Sequence, residues 1–155
     1  AEQFTASGGE VERFADMGAS AQWLQEFARD FESVTVGVTV PGILRPQLPS
    51  TCPDLASLGV SHAVAGVAET GSLVLDARDG RRTQLLAPTH VVFVREREIH
   101  DTLVGAMVTL KADLPSAVGL HSGPSKSADI GQILVRGVHG PGRIVAAIIG
   151  EPSRG

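Results

Sequence analysis

The chain has 155 residues, 43% apolar and 19% charged, with a formal net charge of −4. That length suits one domain with a real hydrophobic core, and the composition excludes a chain too polar to fold. Its only two lysines, Lys111 and Lys126, form no basic stripe for nucleic-acid phosphates, and no apolar run approaches the roughly 20 residues that cross a bilayer.

The opening residues Phe4 to Gly9 read as the end of a helix and its glycine stop, followed by a first strand over Val11 to Phe14. Ala19 to Phe31 places Ala21, Leu24, Phe27, Ala28 and Phe31 at helical spacing, with Gln25, Glu26, Arg29 and Asp30 on the wet side. Trp23 reads as core or interface packing. Ser33 to Val40 is a Val- and Thr-rich strand ending at Pro41-Gly42, and a Pro-rich loop runs to Pro53. Ser61 to Ala68 and Ser72 to Asp76 are short strands split by Glu69-Thr70-Gly71, and Asp79-Gly80 marks a turn. His90 to Arg95 is a continuous apolar strand of the doubly buried kind, and Asp101 to Ala112 a helix with Leu103, Met107 and Leu110 inward. Ala117 to Leu120 then reads as a strand, Ala128 to Leu134 as a helix and Ile144 to Ile149 as a last strand. This alternation predicts a single α/β domain over residues 1–155, with a mostly parallel sheet flanked by helices.

Ligands of open α/β sheets collect at the C-terminal ends of the strands, which draws attention to three loops. In Ser122-Gly123-Pro124-Ser125-Lys126-Ser127, glycine admits a close backbone approach and proline stiffens the turn. The hydroxyls of Ser125 and Ser127 suit the start of a helix that attracts an anion, and Lys126 adds a positive charge. The plain reading is an ordinary capped helix start with Asp129 favoured by the dipole. The loop lacks the spacing of a Walker P-loop and of the dinucleotide fingerprint, so neither ATP nor NAD is implied. In the second loop, Glu69 with Thr70, Gly71 and Ser72 sits in an apolar stretch. Burial there would raise the carboxyl pKa and suit an acid, base or nucleophile, whereas the bland reading is a turn residue bonded to nearby backbone. The third loop sets His139 between glycines, before Gly140-Pro141, where imidazole can meet an oxyanion or shuttle a proton; the competing reading is an incidental residue in a connection.

His62, His90, His100 and His121 show no metal-ligand spacing and read as structural or surface residues, so no metal site is expected. Arg81-Arg82 suits either a carboxylate clamp or a solvated pair. A single cysteine, Cys52, supplies neither a disulfide nor the ligands of an iron–sulfur centre, so any such cofactor is expected on a partner. No export signal is legible, which predicts a cytoplasmic protein.

Three ordered motifs, Val67-Ala68-Glu69-Thr70-Gly71-Ser72-Leu73-Val74-Leu75, Leu86-Ala87-Pro88-Thr89-His90-Val91-Val92-Phe93-Val94 and Ser122-Gly123-Pro124-Ser125-Lys126-Ser127-Ala128-Asp129-Ile130, followed by Gly137-Val138-His139-Gly140-Pro141, resemble the lactate-utilization protein C (LUD domain) family. The likeness runs roughly from Gly8 to Gly150. It departs from the family at Gly131, where an acidic residue is usual, and the N-terminal helical segment usual before Ala1 is expected to be missing. The resemblance implies a fold of the NagB/RpiA/CoA-transferase kind and a role in oxidising L-lactate to pyruvate beside separate iron–sulfur and oxidoreductase subunits.

Two functions follow as expectations. One is an accessory or ligand-binding subunit of that system, with no cofactor of its own. The other is an enzyme resembling CoA transferases or 5-formyltetrahydrofolate cyclo-ligases, with Glu69 and His139 catalytic. In either case Thr70, Gly71, Gly123, Pro124, Ser125, Lys126, Ser127, Asp129 and Gly140 are the candidate ligand-binding residues. A third reading, a structural interaction module, leaves the glycine loops only a shaping role.

Overall fold

In the computed structural model, residues 1–113, 115–128, 134–136 and 139–151 are described, at 127, 128 and 134–136 by backbone alone. Helix α1 (Glu2–Ala6) leads into strand β1 (Glu10–Phe14). Helix α2 (Met17–Phe27) starts at Asp16, whose carboxylate accepts the Ala19 N–H at 2.8 Å. There follow β2 (Val34–Val36), β3 (Leu58–His62), β4 (Ala65–Val67), β5 (Ser72–Asp76), α3 (Arg81–Leu85) and β6 (Thr89–Arg95). Next come β7 (Ile99–His100), α4 (Leu103–Leu110), β8 (Val118–His121), β9 (Lys126–Ala128), β10 (Leu134–Arg136) and β11 (Arg143–Ile149).

Five strands form a parallel sheet in the order β1-β11-β6-β3-β2. Its central strands β6 and β11 are apolar without alternation because both faces are covered. On one face Leu58, Val60, Val91, Phe93, Val145 and Ala147 pack against Ala21, Leu24 and Ala28 at α2. On the other, Val92, Val94, Ile144, Ala146 and Ile148 meet Leu73 and Leu75 of β5 and Phe4 of α1. Those β5 residues belong to a second sheet, β7-β4-β5-β8, in which β4 runs parallel to β7 and the other pairs are antiparallel. Its outer side, through Ala65, Val67 and Val74, takes Ala106 with Leu103 and Leu110 from α4. Burial dictates this layering: β5, β6 and β11 present apolar residues on the sides they share.

The expected α/β class, a parallel sheet flanked by helices, is the one observed. Several local expectations are corrected. The strand at 117–120 is not part of the parallel sheet; β8 lies antiparallel on β5 at the edge of the second sheet and is only partly buried. The helix expected over 128–134 does not begin at Ala128: Lys126–Ala128 and Leu134–Arg136 pair as antiparallel strands, with Leu134 opposite Ala128, and residues 129–133 lie outside the described residues. At Ala128 and Leu134 strand pairing has prevailed over an apolar spacing that suits a helix. The strand from Ser33 stops at Val36, because the Val40 N–H turns back to the Gly37 carbonyl at 3.2 Å. Among the described residues no helix is long and apolar enough to cross a membrane.

Candidate functional site

The edge of the second sheet carries the site. Gln84 of α3, itself buried, donates its side-chain N–H to the Asp76 carbonyl at 2.6 Å and so ties α3 to the end of β5. Strand β8 runs beside β5 and delivers His121 and then Ser122 to the same edge. The loop after it is fastened to the loop before β11: the Ser125 N–H donates to the Pro141 carbonyl at 2.8 Å, and the His139 N–H to Ser125 Oγ at 3.2 Å. Between these segments lies a cleft of about 410 Å³, whose polar lining comes from Arg81, Gln84, His121, Ser122, Ser125 and His139. Among the described residues no Asp or Glu lines it. In a chain of net charge −4, an arginine set among hydrogen-bonding groups suits an anion.

The two arginines noted in the sequence part company here. Arg82 pairs with Asp54, whereas Arg81 lines the cleft and makes no ion pair among the described residues. Behind the cleft, His90 is fully buried; its Nε2 lies 2.9 Å from Ser61 Oγ and its ring meets that of His121 edge-on, centroids 6.5 Å apart. Burial, helped by the neighbouring His121, pushes His90 down to about 3, and burial likewise lowers His121. His90 is thus a structural residue, as its sequence setting suggested, while His121 faces a usable space.

Of the residues singled out in the sequence, Gly123, Ser125, His139 and Gly140 come together in this cleft, with Ser122. Glu69, Thr70, Gly71, Pro124 and Lys126 do not line it. Pro124 is buried, and Lys126 donates its ammonium to the Ser7 carbonyl at the end of α1. Thr70 reaches the cleft loop only through a chain of hydroxyls, Thr70 Oγ1 to Ser72 Oγ and on to Ser122 Oγ, each step 2.7 Å. Gly71 packs against α1, and the Ser127 side chain and Asp129 lie outside the described residues.

Glu69 is exposed rather than buried, which removes the burial that was to tune it. Its Oε1 accepts the Leu103 N–H at 2.8 Å, satisfying a donor in the first turn of α4 beside the Thr102 cap. Glu69→Ala is therefore expected to cost about 1 kcal/mol of stability in urea unfolding; an unchanged midpoint would remove this role.

A second cavity, about 320 Å³ between the two sheets, is chiefly apolar, and its Arg13 is answered by Glu96 at 3.5 Å. Among the described residues no basic side chain of its lining is left without an acidic partner. Sequence reasoning overlooked Gln84 and passed over His121. The available signal was position: His121 immediately precedes the Ser122 loop.

A family model described as LUD domain matches residues 54–149. The chain is 31% identical over 137 residues to Lactate utilization protein C of Geobacillus kaustophilus (strain HTA426), covering 83% of this chain and 55% of that protein. It is 32% identical over 140 residues to Lactate utilization protein C of Deinococcus radiodurans, covering 86% and 60%, and 38% identical over 104 residues to Lactate utilization protein C 1 of Bacillus mycoides (strain KBAB4), covering 62% and 44%. The chain spans about half the length of the curated relatives it matches. The 1.70 Å crystal structure of a DUF162 family protein from Deinococcus radiodurans superposes with a TM-score of 0.73 at 18% identity, covering 96% of this chain and 95% of that one, and so shares the fold.

Proposed function

The chain belongs to the LUD domain family, and from that premise we propose that it serves lactate utilisation as a ligand-binding subunit. Its cleft receives a small carboxylate, and iron–sulfur and oxidoreductase partners carry the electrons as L-lactate becomes pyruvate. The observation that carries this reading is the 31% identity over 137 residues with a protein named for lactate utilisation. The cleft supplies the place: Arg81 offers a planar fork of donors for a carboxylate, and Ser125 and His139 offer further polar contacts. The transferase-like reading is weaker, because Glu69, its nucleophile, lines no part of the cleft and is held on the Leu103 amide.

Deleting the gene from its host is expected to abolish growth on L-lactate while growth on pyruvate continues. Complementation with Arg81→Gln is expected to fail, whereas Glu69→Gln restores growth. Normal growth of the deletion strain on L-lactate removes the proposal, and purification from the host without iron–sulfur proteins removes its partner assignment.

A further inference from the structure

We propose that the cleft selects 2-hydroxycarboxylates over plain carboxylates, with Arg81 pairing to the carboxylate and His121 accepting the hydrogen bond of the hydroxyl. This rests on the cleft being a carboxylate site, as argued above.

Residues 119 and 121 of β8 point to the same side of the strand. A glycine at 119 leaves a notch there, and the His121 ring occupies it: a Cβ built on Gly119 would lie 3.0 Å from His121 Nε2 and 3.8 Å from Gln84 Oε1. The notch has firm walls. Gln84 is held by the Asp76 carbonyl, and the buried ring of His90 stands edge-on to His121. His121 is thereby fixed at the cleft without being consumed by it, for among the described residues no group hydrogen-bonds its ring.

Its charge state fits the role. Partial burial holds His121 below the ordinary histidine value, so near neutral pH the ring is uncharged and one nitrogen keeps its lone pair. Among the described residues the cleft then presents a permanent cation, Arg81, together with the His121 ring as a fixed neutral acceptor. A ligand with a carboxylate and a neighbouring hydroxyl satisfies both, whereas a carboxylate with hydrogen in place of the hydroxyl leaves the acceptor unpaired as water is displaced.

The test compares L-lactate with propionate, which differ in that hydroxyl, by calorimetric titration of the whole chain. The wild type is expected to bind L-lactate roughly five- to tenfold more tightly than propionate, as one neutral hydrogen bond provides. In His121→Leu the two affinities converge through loss of lactate binding alone. Gly119→Ala, whose methyl displaces the ring while keeping it, gives the same convergence and carries the test if His121→Leu does not fold. Arg81→Gln weakens both acids equally. Equal affinities in the wild type, or a preference that survives in both His121→Leu and Gly119→Ala, overturn the assignment of His121 while leaving the cleft a carboxylate site. If neither acid binds the wild type, the carboxylate reading itself falls, and the selectivity with it.

Discussion

Between pH 7 and pH 5 the protein is expected to lose about 2 kcal/mol of stability through His90 alone, at 1.36 kcal/mol for each pH unit below the unfolded histidine value. His90 is fully buried and its folded pKa is about 3 against an ordinary 6.5. The unfolded chain therefore takes up a proton that the folded chain refuses, and acid favours unfolding. The contribution is fully present above 6.5 and is lost as the pH falls from there toward 3. His62 and His121, both lowered chiefly by burial, act in the same sense. Urea unfolding at the two pH values measures the loss. His90→Gln, which keeps a polar group facing Ser61 but cannot titrate, is expected to flatten the acid limb, and the difference between the two chains isolates His90. Equal stability of the wild type at pH 7 and pH 5 would refute the account.

Gly71→Ala is expected to destabilise the fold by about 3 kcal/mol, lowering the melting temperature by roughly 6–12 °C. Two costs combine. Gly71 has φ 61°, a left-handed conformation that side chains disfavour. A Cβ there would lie 2.4 Å from the Phe4 nitrogen and 2.7 Å from the Gln3 carbonyl carbon, backbone atoms of α1 that cannot rotate aside. Relief requires α1 to lift, which uncovers Phe4, buried against the parallel sheet. Gly42→Ala is the control, since nothing stands within 4 Å of its Cβ position. Calorimetry of the two variants checks the contrast, and a Gly71→Ala melting point equal to that of Gly42→Ala would show that α1 is not seated as described.

The parallel sheet was legible because doubly covered strands have to be apolar throughout: Val91 to Val94 and Ile144 to Ile149 admit few other readings. The second sheet was harder to see. Its strands are three to five residues long apart from the two-residue β7, and nothing in Val118 to His121 distinguishes a parallel neighbour from the antiparallel one it has, since direction is set by distant partners. The same limit explains the segment after Ser125, where local spacing favoured a helix and pairing between Ala128 and Leu134 gave strands. At the site, glycine and hydroxyl content located the Ser122 and His139 loops, which do meet. Composition could not tell that Lys126 would be taken by the Ser7 carbonyl, that Glu69 would serve α4, or that Arg81 and not Arg82 would face the cleft. Those outcomes depend on which polar groups the tertiary fold leaves without partners.

Strand β11 lies between β1 and β6, so residues 10–14 and 143–149, the two ends of a long stretch of chain, are immediate neighbours. During synthesis, β1 emerges more than a hundred residues ahead of its partner β11, and until β11 arrives β6 keeps one apolar margin open. The nascent protein thus passes through an interval in which its middle is exposed as an adhesive edge, the state that chaperones shield, and closure comes as one late, zipper-like insertion.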